Sequence, residues 1–329
     1  MAASLAVVVI GRNEGDRLGA CLSALRDCGA PLIYVDSGST DGSVELARRY
    51  ATAVVELDPA LPFTAARARN EGLGKALEIQ PGLELVQFVD GDCEMSAEWL
   101  GLGASLLRQR ADVAIVCGCV RERSPDRSVY NRLCDLEWKG PLGEIRACGG
   151  NAMAKVSVLR QVSGFHSGLI GGEEPELCIR LRRRGWKVVR CEAPMVVHDA
   201  NMTRFSQWWK RALRSGWGYA EVGRLHPEDP VLTHQNRSIF FWGILLPILA
   251  LTLAAPTGGL SLLAFLGYPV LLVRVYRGLA GRGMASGDAL LKAAFTVLAK
   301  LPQAVGQLQF AFLRSLGRGR RIVDWRAGA

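Results

Sequence analysis

Five short runs in the first 120 residues limit what this chain can fold into. "LAVVVI" (5–10), "PLIYV" (31–35), "TAVVEL" (52–57), "LELVQFV" (83–89) and "DVAIVCGCV" (112–120) are rich in valine and isoleucine and apolar on both faces. Strands read this way when they are buried between two layers of helix. Between them lie "EGDRLGACLSALRDCG", "GSVELARRYA", "TAARARNEGLGKALE" and "SAEWLGLGASLLRQR", with apolar residues at helical spacing. Such alternation implies right-handed crossovers and a mainly parallel sheet, an α/β fold. Ligands of these sheets sit at the carboxyl ends of the strands. The residues at those ends are Asn13 and Glu14, Asp36, and Asp90 with Asp92.

From about residue 239 the chain changes character. "IFFWGILLPILALTLAA" (239–255) and "LSLLAFLGYPVLLV" (260–273) carry no ionised side chain, and "PTGG" joins them. Each run is shorter than the roughly 20 residues that span a bilayer comfortably. With flanking residues, and with Arg237 and Arg274 reaching outward, both limbs are expected to cross. The alternative is a hairpin buried in a larger soluble domain. Arg237 precedes the hairpin, Arg274, Arg277 and Arg282 follow it, and the turn between the limbs is uncharged. By the positive-inside rule both flanks are cytoplasmic. The stretch 288–321 mixes apolar runs with Lys292, Lys300 and glutamines, and reads as helices lying in the interface, its arginine-rich end against anionic headgroups. The expected organisation is a catalytic domain over 1–230 and a membrane-associated helical region over 231–329. Within that region the hairpin lies at about 239–276 and the interfacial helices at about 288–316.

The formal net charge of +9 is carried mostly by arginine, which suits phosphate ligands or an anionic membrane surface. There is no zinc-finger spacing, basic zipper or aromatic–basic interleave, so nucleic acid is not an expected partner. The nine cysteines are odd in number and sit mainly in strand-like or helical runs. They read as small buried hydrophobes in a reducing compartment. The N-terminal apolar run lacks a basic region before it and a cleavage site after it, so it reads as a first core strand, with the catalytic part in the cytosol.

A dinucleotide site needs G-x-G-x-x-G directly after the first strand. Here the turn is "GRNEGDRLG", with an arginine and a glutamate where glycines belong, which argues against NAD. After the second run comes "VDSGSTDGS" (35–43), a tight turn into a helix whose Asp36 can accept hydrogen bonds from a base edge or a ribose hydroxyl. In "ARARNEG" (66–72), Arg69 is either an exposed helix residue or a fork donor to a diphosphate. "QFVDGDCEM" (87–95) places Asp90 and Asp92 one residue apart, as a polar turn or as oxygen ligands for a cation.

"VVVIGRNEGDRL", "YVDSGSTDGS", "ARARNEGL", "FVDGDCEM" and "CGGNAMAKVSVLRQVSGFHSGLIGGEEPELCIRLRRRGWKV" occur in order and at workable spacing. Together they resemble the inverting nucleotide-sugar glycosyltransferases of family 2, which have the GT-A fold, over roughly residues 5 to 225. The resemblance implies that Asp36 contacts the base or ribose, with the Asn13–Glu14 turn nearby. It implies that Asp90 and Asp92 form a D-x-D element, Asp92 on Mg²⁺ or Mn²⁺ and Asp90 on the ribose or the metal side. A diphosphate leaving group needs a hard cation, and carboxylates on a rigid strand end can hold one. "GGEEPEL" (171–177) falls where the family has its general base, usually an aspartate. Here that residue is Glu174, with Glu173 as its substitute and Glu176 a weaker one. A helix N-terminus attracts acids whatever the function, so the role rests on the resemblance. His198, in "VVHDANMT", is a structural histidine or a further metal ligand. "FSQWWKRALRSGWGYAE" (205–221) holds Gln207 and Arg211 of a Q-x-x-R-W motif but Ala212 in place of its tryptophan, which argues against processive synthesis. Arg211 or Arg214 is then a partner for the diphosphate.

The expectation is a metal-dependent transferase of the hexosyltransferase class, at the inner membrane with its catalytic domain cytoplasmic. Its partners would be a nucleotide-sugar donor, a lipid-linked or membrane-embedded acceptor, and other proteins of cell-surface polysaccharide or glycolipid assembly. The alternatives are a nucleotidyltransferase of related fold and a non-catalytic membrane scaffold.

Overall fold

The computed structural model describes residues 4–317. The arginines at 318, 320 and 321, expected against headgroups, lie outside the described residues. The chain divides into two compact units, one formed by Met1–Arg127 with Glu137–Asn201, the other by Ser128–Leu136 with Met202–Ala329.

The first unit is built on strands β1 (Leu5–Gly11), β2 (Leu32–Asp36), β3 (Ala53–Glu56), β4 (Leu85–Asp90), β5 (Cys93–Met95), β6 (Val113–Glu122), β7 (Gly143–Glu144), β8 (Ala152–Lys155) and β9 (Lys187–His198). They form one sheet in the order β3-β2-β1-β4-β8-β6-β9-β5, with β7 paired to β9. The helices in chain order are α1 (Asp16–Leu25), α2 (Ser43–Ala47), α3 (Ala65–Ile79), α4 (Trp99–Gln109), α5 (Val129–Trp138), α6 (Val156–Gln161) and α7 (Glu173–Arg183). The five apolar runs became β1, β2, β3, β4 and β6, and the stretches between them became α1 to α4. Ala6 to Val9, Ile33 to Val35, Val86, Val89 and Val113 to Val116 are buried. Each Val or Ile side chain so buried contributes on the order of 1.5–3 kcal/mol. Helix α3 lies close on β1: a Cβ on Gly72 would come within 2.3 Å of Val8 Cγ1. Glycine at that position sets the helix-to-sheet distance.

Strands β3, β2, β1 and β4 run parallel. Because β2 lies on one side of β1 and β4 on the other, the strand order reverses there, and the crevice opens at the carboxyl ends of β1 and β4. Gly91 N–H donates to the Ile10 carbonyl at 2.8 Å, which seats the 90–92 turn against the end of β1. Beyond β4 the sheet is mixed. β8 runs antiparallel to both β4 and β6, β6 and β9 are parallel, and β5 and β7 are antiparallel to β9. β5, β7 and β8 are two to four residues long, too short to show a period in the sequence.

The second unit holds α5 together with α8 (Phe205–Leu225), α9 (Pro230–Phe240), a π turn (Phe241–Leu245), α10 (Leu246–Thr252), a 3₁₀ stretch (Leu260–Leu266), α11 (Gly267–Ala280), α12 (Ser286–Leu298) and α13 (Lys300–Ser315). The division expected after residue 230 therefore falls at 201, and 128–136 joins the later residues. Packing explains both shifts. Arg132 forks onto Asp288 at 2.9 and 2.8 Å, and Lys292 Nζ donates to the Leu136 carbonyl at 2.7 Å, so α12 holds α5. Helices α8 and α13 cross backbone to backbone: a Cβ on Gly216 would lie 2.0 Å from the Gln303 carbonyl, and one on Gly306 2.1 Å from the Leu213 carbonyl.

The apolar hairpin is present as α10 folded back on the 3₁₀ stretch, with Ser261 Oγ donating to the Ala250 carbonyl at 2.7 Å. Among the described residues one helix, Leu260–Ala280, is long and apolar enough to cross a membrane, where the sequence led us to expect two limbs of that kind. Length accounts for the difference. From 239 to 252 the first limb rises about 21 Å at about 1.5 Å per residue, short of a hydrocarbon layer of about 30 Å.

Candidate active site

The ends of β1 and β2 are tied together before any ligand is considered. Asn13, at φ 54, sits in the left-handed region and uses both its backbone and its side chain. Its N–H donates to Ser39 Oγ at 2.9 Å, and its Oδ1 accepts from Thr40 N–H at 2.7 Å. Gly15 N–H donates to Asp41 Oδ2 at 3.0 Å. Glu14 is ion-paired with Arg17 at 3.0 Å. Asp36 is only 2 % exposed. Its Oδ2 accepts the N–H groups of Gly38 and Ser39 at 2.8 and 2.7 Å, and Tyr34 donates its hydroxyl to Oδ1. In this structure the carboxylate expected to contact a base or ribose shapes the turn.

At the crevice between β1 and β4 the arrangement centres on Arg69, which is 2 % exposed. Its Nη2 donates to Asp90 Oδ1 at 3.0 Å, its Nη1 donates to Glu173 Oε1 at 3.0 Å, and Glu174 Oε1 is 3.1 Å from the same nitrogen. The guanidinium also lies over the Phe165 ring. The fork expected to meet a diphosphate is closed here on three carboxylates. Burial works against its charge, but Glu174, Asp90 and Glu173 together hold its pKa above the ordinary arginine value. For Glu174 the balance goes the other way. Burial, reinforced by the charge of Glu173 and opposed by Arg69, pushes its pKa up to about 7. Its side chain keeps 16 % of its surface open, against 5 % for Glu173. Of the adjacent pair, Glu174 is the more open to a reactant.

Gly150 and Asn151, to which the sequence reading assigned no role, complete this cluster. A Cβ on Gly150 would lie 2.4 Å from Arg69 Nη2 and 2.5 Å from Asp90 Oδ2, so a larger residue would collide with the ion pair. Asn151 Oδ1 accepts from Asp90 N–H at 3.0 Å. Its Nδ2 donates to Cys93 Sγ at 3.3 Å and reaches Asp90 Oδ2 at 3.4 Å. The signal was the "GGN" string itself, two glycines and an amide just before a strand, which reads as a plain turn until Asp90 is beside it.

The second cluster is set by sheet register. Cys93 on β5 pairs with His198 on β9, and Glu122 on β6 pairs with the same His198. Asp92 Oδ1 is 3.5 Å from His198 Nε2. Donor atoms of Asp92, Cys93 and His198 all lie within 4.8 Å of one another. Burial, then the charges of Asp92 and Asp90, keep the Cys93 thiol protonated. A carboxylate and an imidazole suit a hard-to-borderline divalent ion, and a thiol does not add to that preference. His198 Nδ1 is buried without a hydrogen-bond partner. The ring is thus oriented with Nε2 on the Asp92 side, and the residues fit a divalent cation.

The structure therefore brings Asp90, Arg69, Glu173 and Glu174 into one cluster and Asp92 with His198 into another, linked through the 90–92 turn. Asn13, Glu14 and Asp36 gather at the neighbouring strand ends. Arg211 belongs to α8 and so to the second unit.

Residues 6–161 match the family described as Glycosyl transferase family 2, and residues 141–277 match Glycosyl transferase family group 2. The glycosyltransferase AglE of Haloferax volcanii is 25% identical over 234 residues, which is 67% of this chain and 74% of that protein. A mannosyltransferase from Pyrobaculum calidifontis, solved with GDP-Man and Mn²⁺, superposes with a TM-score of 0.54 at 20% identity, covering 96% of this chain and 86% of that one. A mainly parallel sheet with acidic groups gathered at one set of strand ends, matched in this way, defines a glycosyltransferase with the GT-A fold. The chain belongs to the family 2 glycosyltransferases.

Proposed function

We propose that this protein transfers a sugar, with inversion, from a nucleoside-diphosphate sugar to a hydroxyl of a lipid-linked or membrane-embedded acceptor. The observation that carries the reading is Glu174, a carboxyl poised near neutrality and held by the same guanidinium as Asp90. Inversion by direct displacement needs one base on the acceptor side and no covalent intermediate, and a single carboxylate with a pKa near the working pH supplies it. Glu174 takes the acceptor hydroxyl proton as the bond to the anomeric carbon forms. Arg69 keeps Glu173 and Asp90 charge-compensated so that Glu174 can be the group that cycles.

Asp92 and His198, with Asp90 beside them, would hold Mn²⁺ or Mg²⁺, whose charge stabilises a departing diphosphate. Support comes from the Pyrobaculum enzyme, whose structure contains GDP-Man and Mn²⁺. A membrane setting is supported by the Leu260–Ala280 helix, none of whose apolar window is buried, and by leucines as open as Leu260, at 70 % exposure. Arginines at both flanks of the hairpin support the reading that those flanks lie on the cytoplasmic side. The setting fits assembly of cell-surface glycans at an inner membrane.

The test is turnover and donor binding over a panel of nucleotide sugars, with and without Mn²⁺. We expect a metal-dependent donor, loss of metal dependence in Asp92→Ala, and intact donor binding without transfer in Glu174→Gln. Normal transfer by Glu174→Gln removes it as the base. Product formed from a nucleoside triphosphate and a sugar phosphate would favour the nucleotidyltransferase alternative instead.

A further inference from the structure

His198 is enclosed on three sides, and only one of those neighbours belongs to the proposed metal site. Asp92 faces Nε2. The Trp138 indole lies against the ring face, with centroids 4.4 Å apart. On the far edge Glu122 Oε2 is 4.0 Å from Nδ1, the buried nitrogen that lacks a hydrogen-bond partner. The Glu122 side chain is wholly buried. It also accepts the N–H of Ala200 at 3.1 Å, two residues after His198, while Arg123 N–H donates to the His198 carbonyl at 2.8 Å. The parallel register of β6 on β9 places Glu122 directly beside His198, so the juxtaposition is fixed by the sheet.

The geometry assigns Glu122 as the positioning residue of His198, with Trp138 as the wall that stops the ring turning. This rests on the metal reading given above. Glu122 favours a proton on Nδ1, which leaves the Nε2 lone pair directed to the side where Asp92 stands. A metal-bound histidine commonly passes its other ring N–H to a carboxylate in this way, and removing that partner typically weakens metal affinity 10- to 100-fold. In this structure the 4.0 Å separation is longer than a hydrogen bond.

The experiment is a long-range ¹H–¹⁵N spectrum of histidine-labelled, metal-free protein, with the His198 signal identified by its loss in His198→Gln. We expect the neutral tautomer with the proton on Nδ1. Glu122→Leu should mix the tautomers and weaken Mn²⁺ binding, read by electron paramagnetic resonance titration, at least tenfold. Glu122→Gln, which keeps an acceptor oxygen, should retain the wild-type tautomer and most of the affinity. A role limited to holding Ala200 N–H would not set the tautomer. A wild-type His198 protonated on Nε2 overturns the assignment, whether or not Glu122→Leu folds. A folded Glu122→Leu that binds Mn²⁺ within twofold of wild type overturns it as well. Wild-type protein that shows the Nδ1 proton but binds no Mn²⁺ supports the Glu122–His198 pairing and overturns the metal reading.

Discussion

At the scale of single residues the chemistry turns on how one buried cation is shared among three acids. Arg69 cannot neutralise Asp90, Glu173 and Glu174 together, and the shortfall appears on Glu174. Its pKa of about 7 lies above the ordinary glutamate value, which has two consequences. Transfer should rise with pH along a limb of apparent pKa near 7, and Glu174→Gln should abolish the limb along with the activity. Stability should move the other way. Between the unfolded and folded pKa values the native state binds the extra proton, so the cost of ionising Glu174 is absent at pH 4, grows through pH 5–7 and is complete above pH 7. Glu174→Gln is therefore expected to melt above wild type at pH 8, by on the order of 1–3 kcal/mol, and to match it near pH 4. Equal melting temperatures at both pH values would mean that Glu174 is ionised freely in the fold. The residue types of this cluster were legible in the sequence; their partners were not. Glu173 lies 104 positions after Arg69, and nothing around a helical arginine says that its fork will close on acids instead of a phosphate. Glu122 and Asn151 were illegible for the same reason, since each acts only through a neighbour that the sheet supplies.

At the scale of elements, legibility followed burial and length. Strands apolar on both faces declared themselves, and so did the helices between them. The short antiparallel strands did not, because two to four residues carry no period. The hairpin was legible as apolar and uncharged, but its depth was not. Its second limb, 260–280, has Arg274 and Arg277 inside it, so the uncharged part runs only from 260 to 273 and matches the first limb in length. The first limb, about 21 Å long, is too short to cross about 30 Å of hydrocarbon, so the pair does not cross and return even though Leu260–Ala280 is long enough by itself. The hairpin is therefore expected to enter and leave by one face, with the 253–259 turn among the acyl chains. A fluorophore on Thr257→Cys reads this depth, in a background where the partly exposed Cys28, Cys119 and Cys191 are replaced by serine and the six other cysteines are buried. Quenching by spin labels near the acyl-chain ends should exceed quenching by headgroup labels. The reverse order would place the turn at a membrane surface and restore either a full crossing or a surface-lying hairpin.

At the scale of the whole molecule two forces can hold the protein to a bilayer, and they respond oppositely to salt. The net charge of +9 attracts anionic lipid through Coulomb forces that extend about 8 Å at physiological ionic strength and about 3 Å in 1 M salt. The exposed leucines of the hairpin, Leu251, Leu260, Leu263 and Leu266 among them, act through removal of apolar surface from water, which salt does not screen. If arginine attraction dominates, flotation with anionic vesicles should be lost in 1 M NaCl, and zwitterionic vesicles should bind weakly at any salt. If the hairpin dominates, the protein should float with both vesicle types and remain bound in 1 M NaCl. We expect the second pattern, because leucines at 60–70 % exposure on an uncharged turn have no other means of leaving water within their own unit. The charge should then govern the rate of association and the preference for anionic lipid. Leu260→Asp with Leu263→Asp separates the two forces. These side chains face outward, so the pair should leave the fold and donor binding unchanged while making retention on vesicles salt-sensitive. Retention of that variant in 1 M NaCl would move the anchor away from Leu260 and Leu263, to other exposed apolar residues of the second unit such as Leu290, Leu308 and Phe312 on α12 and α13.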